Sequence, residues 1–168
     1  MVMANLQRMA RHLLMTHWRV RRTFPRETLL AIEQAIATGE STHIGQLRFA
    51  VEGALSLAAL SKGLTARERA IEVFSQLHVW DTEHNNGVLI YLLLADRSVE
   101  IVADRGIHGR VRQGEWDTIC REMEDAFRRN EFRLGVLRGI TAVGTLLATH
   151  FPAGVGGTDE LLNTPVIL

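Results

Sequence analysis

Residues 80–87 read WDTEHNNG, which places two carboxylates, an imidazole and two amides directly ahead of the apolar run VLIYLLLA. Oxygens at alternate positions, Asp81, Glu83 and Asn85, are how a calcium-binding EF-hand loop begins. The match fails further on. The sixth position, which needs glycine, is Asn86; the twelfth, which needs a bidentate glutamate, is Leu92. A hard-cation site gathered from several loops stays open, because calcium takes roughly six to eight oxygens from carboxylates, amides, backbone and water. Asp81, Glu83 and Asp104 are the acids available to it. Equally open is an architectural role, since Asp, Asn-Asn and Gly end a helix and turn the chain whatever else they do.

Other chemistries lack their spacing. His43, His78, His84, His108 and His150 are scattered, with neither an HExxH helix nor paired cysteines, which argues against zinc. There is no GxSxG elbow, and Asp81-Thr82-Glu83 lacks the second aspartate of an aspartyl-phosphate enzyme. Cys120 has Ala126 where a cysteine phosphatase needs arginine, and its spacing from Trp116, Ile119 and Met123 puts it on the apolar stripe of a helix as a core thiol. Ile107-His108-Gly109-Arg110 carries Ile where a histidine phosphatase needs a phosphate-binding arginine. No nucleophile with an oriented base emerges, so no catalytic residue is assigned.

What must position these residues is one domain, because 168 residues make a single core and cores divide only above ~250. With 19 basic and 19 acidic side chains the chain has no net field to draw nucleic acid. No apolar run reaches the ~20 residues of a transmembrane segment, and the start lacks an apolar core ahead of a small-residue cleavage site, so the expected location is cytoplasmic. Charge is nonetheless uneven: residues 1–26 hold Arg8, Arg11, Arg19, Arg21, Arg22 and Arg26 and no acid. Residues 1–24 therefore read as a basic amphipathic helix that either touches an anionic membrane surface or phosphates, or packs Leu6, Met9, Leu13 and Leu14 on the domain with its arginines in water. Residues 25–152 form the domain, and residues 153–168 read as a flexible tail.

Within the domain, a helix over residues 25–38 carries Leu29, Ile32 and Ile36 on one face. Residues 45–52 alternate, Leu47, Phe49 and Val51 against Gln46, Arg48 and Glu52, as a strand buried on one face. Thr65 to Glu68 fits a capping box opening a helix with Ile71, Phe74 and Leu77 inward. Residues 88–94 are apolar on both faces, as a central strand should be, and residues 96–98 turn the chain into a third strand over 99–103. Two helices follow, one carrying Trp116, Ile119, Met123 and Phe127, the other Val136, Ile140, Val143 and Leu147. Strand, crossover helix and strand make a right-handed parallel βαβ unit. The predicted fold is α/β, a three-layer α/β/α sandwich whose small mixed sheet joins that unit to an antiparallel hairpin strand. This topology returns Asp104 to the sheet end where the other two strands begin. A two- or three-residue turn pairs it near residues 89–91, roughly 10 Å from the strand's start. His43, Gln46, Asn85, Asn86 and Arg105 line the same end.

The series GQLRFAVE, RAIEVFSQL, NNGVLIYLLLADRSVEIVADRGI, EWDTICREMEDAFRRNEF and GVLRGITAVGTLLATHFP, spanning about residues 27–152, resembles the TPM-domain family in order and spacing. It is similar to that family's short soluble bacterial branch. The resemblance implies the same sandwich, a description as phosphatase-like, and Ca2+ or another divalent cation held in an acidic crevice at a sheet end. It also implies a LemA-type membrane protein as partner. Carried over, the family's Asn-Gly strand entry falls on Asn86 and Gly87, its Asp-x-Gly on Asp104, Arg105 and Gly106, and its preceding acid on Asp81, with Glu83 beside it. Where many members read Ser-Gly-Glu-Ile this chain has Ile44-Gly45-Gln46-Leu47, and the loss of that carboxylate weakens a divalent site. The expected function is a binding module with a divalent-cation site at one sheet end; the alternative is a weak phosphatase using a metal-bound water.

Overall fold

The structure, a computed structural model, describes residues 2–154 and 160–168. Two helices, α1 (Val2–Leu13) and α2 (His17–Thr23), stand where one was expected. The chain breaks at Thr16, whose hydroxyl caps α2 by accepting from Arg19 N. Pro25, with its fixed φ, then caps α3 (Arg26–Glu40), which buries Thr28, Ile32 and Ile36. β1 (Gln46–Glu52) leads through the single turn α4 (Leu57–Ser61) into α5 (Ala66–Gln76). The capping box of α5 is formed as read: Glu68 N donates to Thr65 Oγ1 while Glu68 Oε2 accepts from Thr65 N. Its inner face is turned from the expectation, however, burying Ala70, Val73 and Phe74 and leaving Ile71 out.

β2 (Gly87–Leu93) runs parallel to β1, and β3 (Ser98–Ala103) returns antiparallel to β2. The short α6 (Arg105–His108), α7 (Gln113–Arg128) and α8 (Phe132–His150) follow, and β4 (Val166–Ile167) closes the described chain. The sheet order is β3-β2-β1-β4.

Alternation along the strands divides the core in two. Leu47, Phe49 and Val51 join Val88, Ile90 and Leu92 under α3, α7 and α8, with Trp116, Met123, Phe127, Ile140 and Val143. Ala50, Leu89, Tyr91 and Leu93 meet Ala70, Val73 and Phe74 of α5 on the opposite face. This is the α/β sandwich with a mixed sheet that the sequence predicts. By length and composition α8 could cross a membrane, which the sequence reading did not anticipate, but its Val136, Gly139, Ile140, Val143 and Leu147 are buried in the domain.

Two further expectations are corrected. β1 is buried along all seven residues, not on one face. Two elements close the other side: α5 packs on Ala50 and reaches Glu52 through Arg69, and the tail pairs β4 in parallel with β1, Ala50 opposite Val166, which turns β1 from an edge into an interior strand. The guanidinium of Arg48 is capped by the carbonyl oxygens of Leu162 and Thr164. Residues 160–168 are thus part of the sheet; residues 155–159 of the tail lie outside the described residues.

Candidate functional site

β1 and β2 begin, and β3 ends, at one end of the sheet. The turn between β2 and β3 takes four residues, 94–97, so Leu93 faces Ser98 and Asp104 N donates to Gly87 O at 2.9 Å. Asp104 therefore stands at the first residue of β2 and not near residues 89–91. Both glycines of the family pattern are required by close approach. A Cβ on Gly87 would overlap the Val79 carbonyl, and one on Gly106 would lie 2.5 Å from Asn85 O and 2.8 Å from His84 O.

Asn86 is fully buried. Its N donates to Thr82 Oγ1 (3.0 Å) and its Nδ2 to Ile44 O (2.6 Å), which sews the loop ahead of β2 to the entry of β1. Asp104 caps α6, with Oδ1 accepting from Arg105 N at 2.6 Å. Each keeps one buried oxygen, Asn86 Oδ1 and Asp104 Oδ2, without a hydrogen-bond partner among the described residues. An orphaned buried acceptor costs about 1–3 kcal/mol, so two at one sheet end call for a donor or a cation.

The neighbouring candidates are engaged otherwise. Asn85 Oδ1 accepts from Arg105 Nε at 3.0 Å. His43 is buried with Nδ1–H donating to Gly45 O at 2.9 Å, and burial lowers its pKa below the ordinary histidine value. Gln46 Oε1 accepts from Glu160 N (2.9 Å) and Leu161 N (3.1 Å), which uses both lone pairs to hold the tail. Asp81 and Glu83 are exposed, and Glu83 N donates to Glu160 Oε2 at 2.9 Å. Among the described residues no three His, Cys, Asp or Glu side chains come together as a metal-holding group. Asp81, Glu83 and Asp104 thus share a sheet end without forming one cluster. The oxygen donors there suit a hard cation, with Asp104 bringing a buried carboxylate oxygen that has no hydrogen-bond partner among the described residues.

Glu160 was missed because nothing in its neighbourhood marks it; the only signal in the tail was the β-branched pair Val166-Ile167. Also missed was a buried group at the opposite sheet end. Glu52 accepts from Arg69 Nε (2.8 Å) and Nη2 (3.2 Å) and from Tyr91 OH (2.7 Å), beside a cleft of about 530 Å³. Burial first, then the Glu52 carboxylate, push the Tyr91 hydroxyl well above the ordinary tyrosine range. Every member is partnered, so the group reads as a bolt between β1, β2 and α5. Cys120 is held as a thiol, since burial and then the Glu100 and Glu124 charges push its pKa up to about 12.

A family model described as "TPM domain" matches residues 21–146. Among solved structures, the BA42 protein of the psychrophilic bacterium Bizionia argentinensis is similar at 32% identity and a TM-score of 0.73, over 84% of this chain and 93% of that one. The N-terminal domain of a protein from P. gingivalis is similar at 19% identity and a TM-score of 0.47, over 70% of this chain and 89% of that one, too distant to argue from. No match is found among curated proteins.

Proposed function

The chain belongs to the TPM domain family, and from that premise we propose that it is a non-catalytic binding module which takes one hard divalent cation, such as Ca2+, at the entry end of its sheet. The observation that carries this reading is the pair of unpartnered buried oxygens, Asp104 Oδ2 and Asn86 Oδ1. Asp104 supplies the carboxylate and Asn86 the amide oxygen, with Asp81 and Glu83 as further carboxylates of that end. A bound cation would offset the buried charge of Asp104 and satisfy both acceptors. Binding is weak, because Gln46 stands where a carboxylate is usual in the family and its oxygen is taken by the tail. Arg105 keeps the Asn85 side chain facing itself and adds positive charge to the same end, which weakens binding further.

The test is the melting temperature of chelator-treated protein with and without millimolar calcium, magnesium or manganese. A rise that Asp104→Ala abolishes is expected; no rise with any of the three ions sinks the reading. Phosphate release from an aryl phosphate that disappears in Asp104→Ala would replace it with the phosphatase alternative.

A further inference from the structure

We infer that the flank made by α1, α2 and the β2–β3 turn is a docking surface for anionic phospholipid bilayers. It lies at the turn end of the sheet and does not depend on the cation reading at the other. The inference begins with the way α1 is held. Arg8 Nε and Arg11 Nη2 lie 2.9 and 3.3 Å from the carboxylate of Asp96, His12 Nε2 lies 3.2 Å from Asp96 Oδ1, and His12 Nδ1 accepts from Leu55 N at 3.0 Å. Arg8, Arg11 and His12 share one side of the helix. At about 100° per residue, Leu6, Ala10 and Leu13 stand on the other. α1 therefore presents its polar side to the domain and its apolar side to solvent: Leu6 and Leu13 are 66 and 61% exposed, and Leu14, just past the helix, is 63% exposed. An amphipathic helix whose only business was folding would lie the other way up.

The next helix continues the surface. Val20 and Phe24 anchor α2 in the core, while Trp18 is 64% exposed with the Arg22 guanidinium 5.1 Å above its ring. Beside it opens a groove of about 610 Å³ lined by Trp18, Arg19, Arg22, Arg97 and Arg133, with no carboxylate in its wall. None of these arginines is ion-paired among the described residues. Asp96 and Arg97 are consecutive in the turn: the first holds α1 and the second lines the groove, so leucines and arginines belong to one flank.

Charge selects the occupant. The chain is neutral overall, yet its first 26 residues contain no acid, so the positive field is local to this flank. An anionic bilayer meets both halves of it at once, with phosphates for the guanidinium forks and the acyl boundary for the leucines and Trp18. Indole rings with a polar edge settle at that boundary, and an arginine near an anionic surface strengthens binding about fivefold.

Sedimentation of the full chain with vesicles tests this, using phosphatidylcholine alone and phosphatidylcholine mixed with phosphatidylglycerol. Binding to the mixed vesicles only is expected, weaker at high salt, with a blue shift of tryptophan emission that Trp18→Phe removes. Arg19→Ala combined with Arg22→Ala should lower the affinity about 25-fold. Leu6→Ser combined with Leu13→Ser should abolish binding without moving the melting temperature, since both side chains are exposed in the free protein. Failure of the parent protein to bind mixed vesicles, equal binding to both compositions, or undiminished binding by the leucine variant overturns the inference. So does a lipid-free dimer that the leucine variant dissolves, which would mean that a second copy covers the row.

Discussion

At the scale of single residues, the entry end of the sheet separates polar groups that are spent from those that are not. Asn85 and Gln46 each have a named partner for the oxygen that could have met a ligand, and His43 gives its Nδ1–H to a backbone carbonyl. Asn86 and Asp104 each retain an acceptor. His43 also makes a pH prediction. Burial lowers its pKa in the folded state below the ordinary value of 6.5, so the unfolded chain binds the proton more readily. The stabilisation from neutral His43 is complete above 6.5 and is lost as the pH falls below it. Between about pH 7 and pH 5 the parent protein should lose more melting temperature than His43→Gln does, although the variant starts lower. Parallel melting curves across that range would show that His43 does not contribute to the acid lability.

At the scale of elements, the last nine described residues explain why β1 can bury Gln46 and Arg48, as Arg69 and Tyr91 explain it for Glu52. The tail brings two N–H groups to Gln46, carbonyls to Arg48, and a parallel partner to the β1 backbone. Deleting residues 160–168 removes all three and opens a hydrophobic sheet edge. Orphaning these groups should cost roughly 3 kcal/mol, a fall of about 10 °C in melting temperature at this chain length, and the truncated chain should self-associate in gel filtration. A melting point within about 2 °C of the full chain would mean that β4 contributes little. The same element marks how far the sequence could be read. Apolar runs, the Thr65 to Glu68 cap and the polar turn revealed three strands and the helices α3, α5, α7 and α8, because each signal is local. The alternation of Leu47, Phe49 and Val51 with Gln46, Arg48 and Glu52 correctly suggested a strand and wrongly suggested a solvated face. What covers Gln46 and Arg48 comes from over a hundred residues away, and in the sequence it is only a short stretch ending in Val-Ile-Leu.

At the scale of the whole molecule, the two sheet ends differ in chemistry: oxygen acceptors at the entry end, arginines and exposed leucines at the turn end. The sequence showed the amphipathic pattern of residues 1–24, but the pattern is symmetric with respect to which side faces the domain. Asp96 breaks that symmetry, since its carboxylate, only 14% exposed, draws Arg8, Arg11 and His12 inward. Asp96→Ala should therefore release α1 without unfolding the rest, because the core under α3, α7 and α8 does not include it. A partly buried charge network of this size is worth about 1–2 kcal/mol, so the melting temperature should drop by only about 3–6 °C. Tryptic cleavage after Arg8 and Arg11 should become many times faster, while cleavage within residues 26–150 should keep its rate. If both accelerated together, Asp96 would be holding up the whole domain and not one helix. If neither changed, α1 would be held by contacts other than those of Arg8, Arg11 and His12 with Asp96.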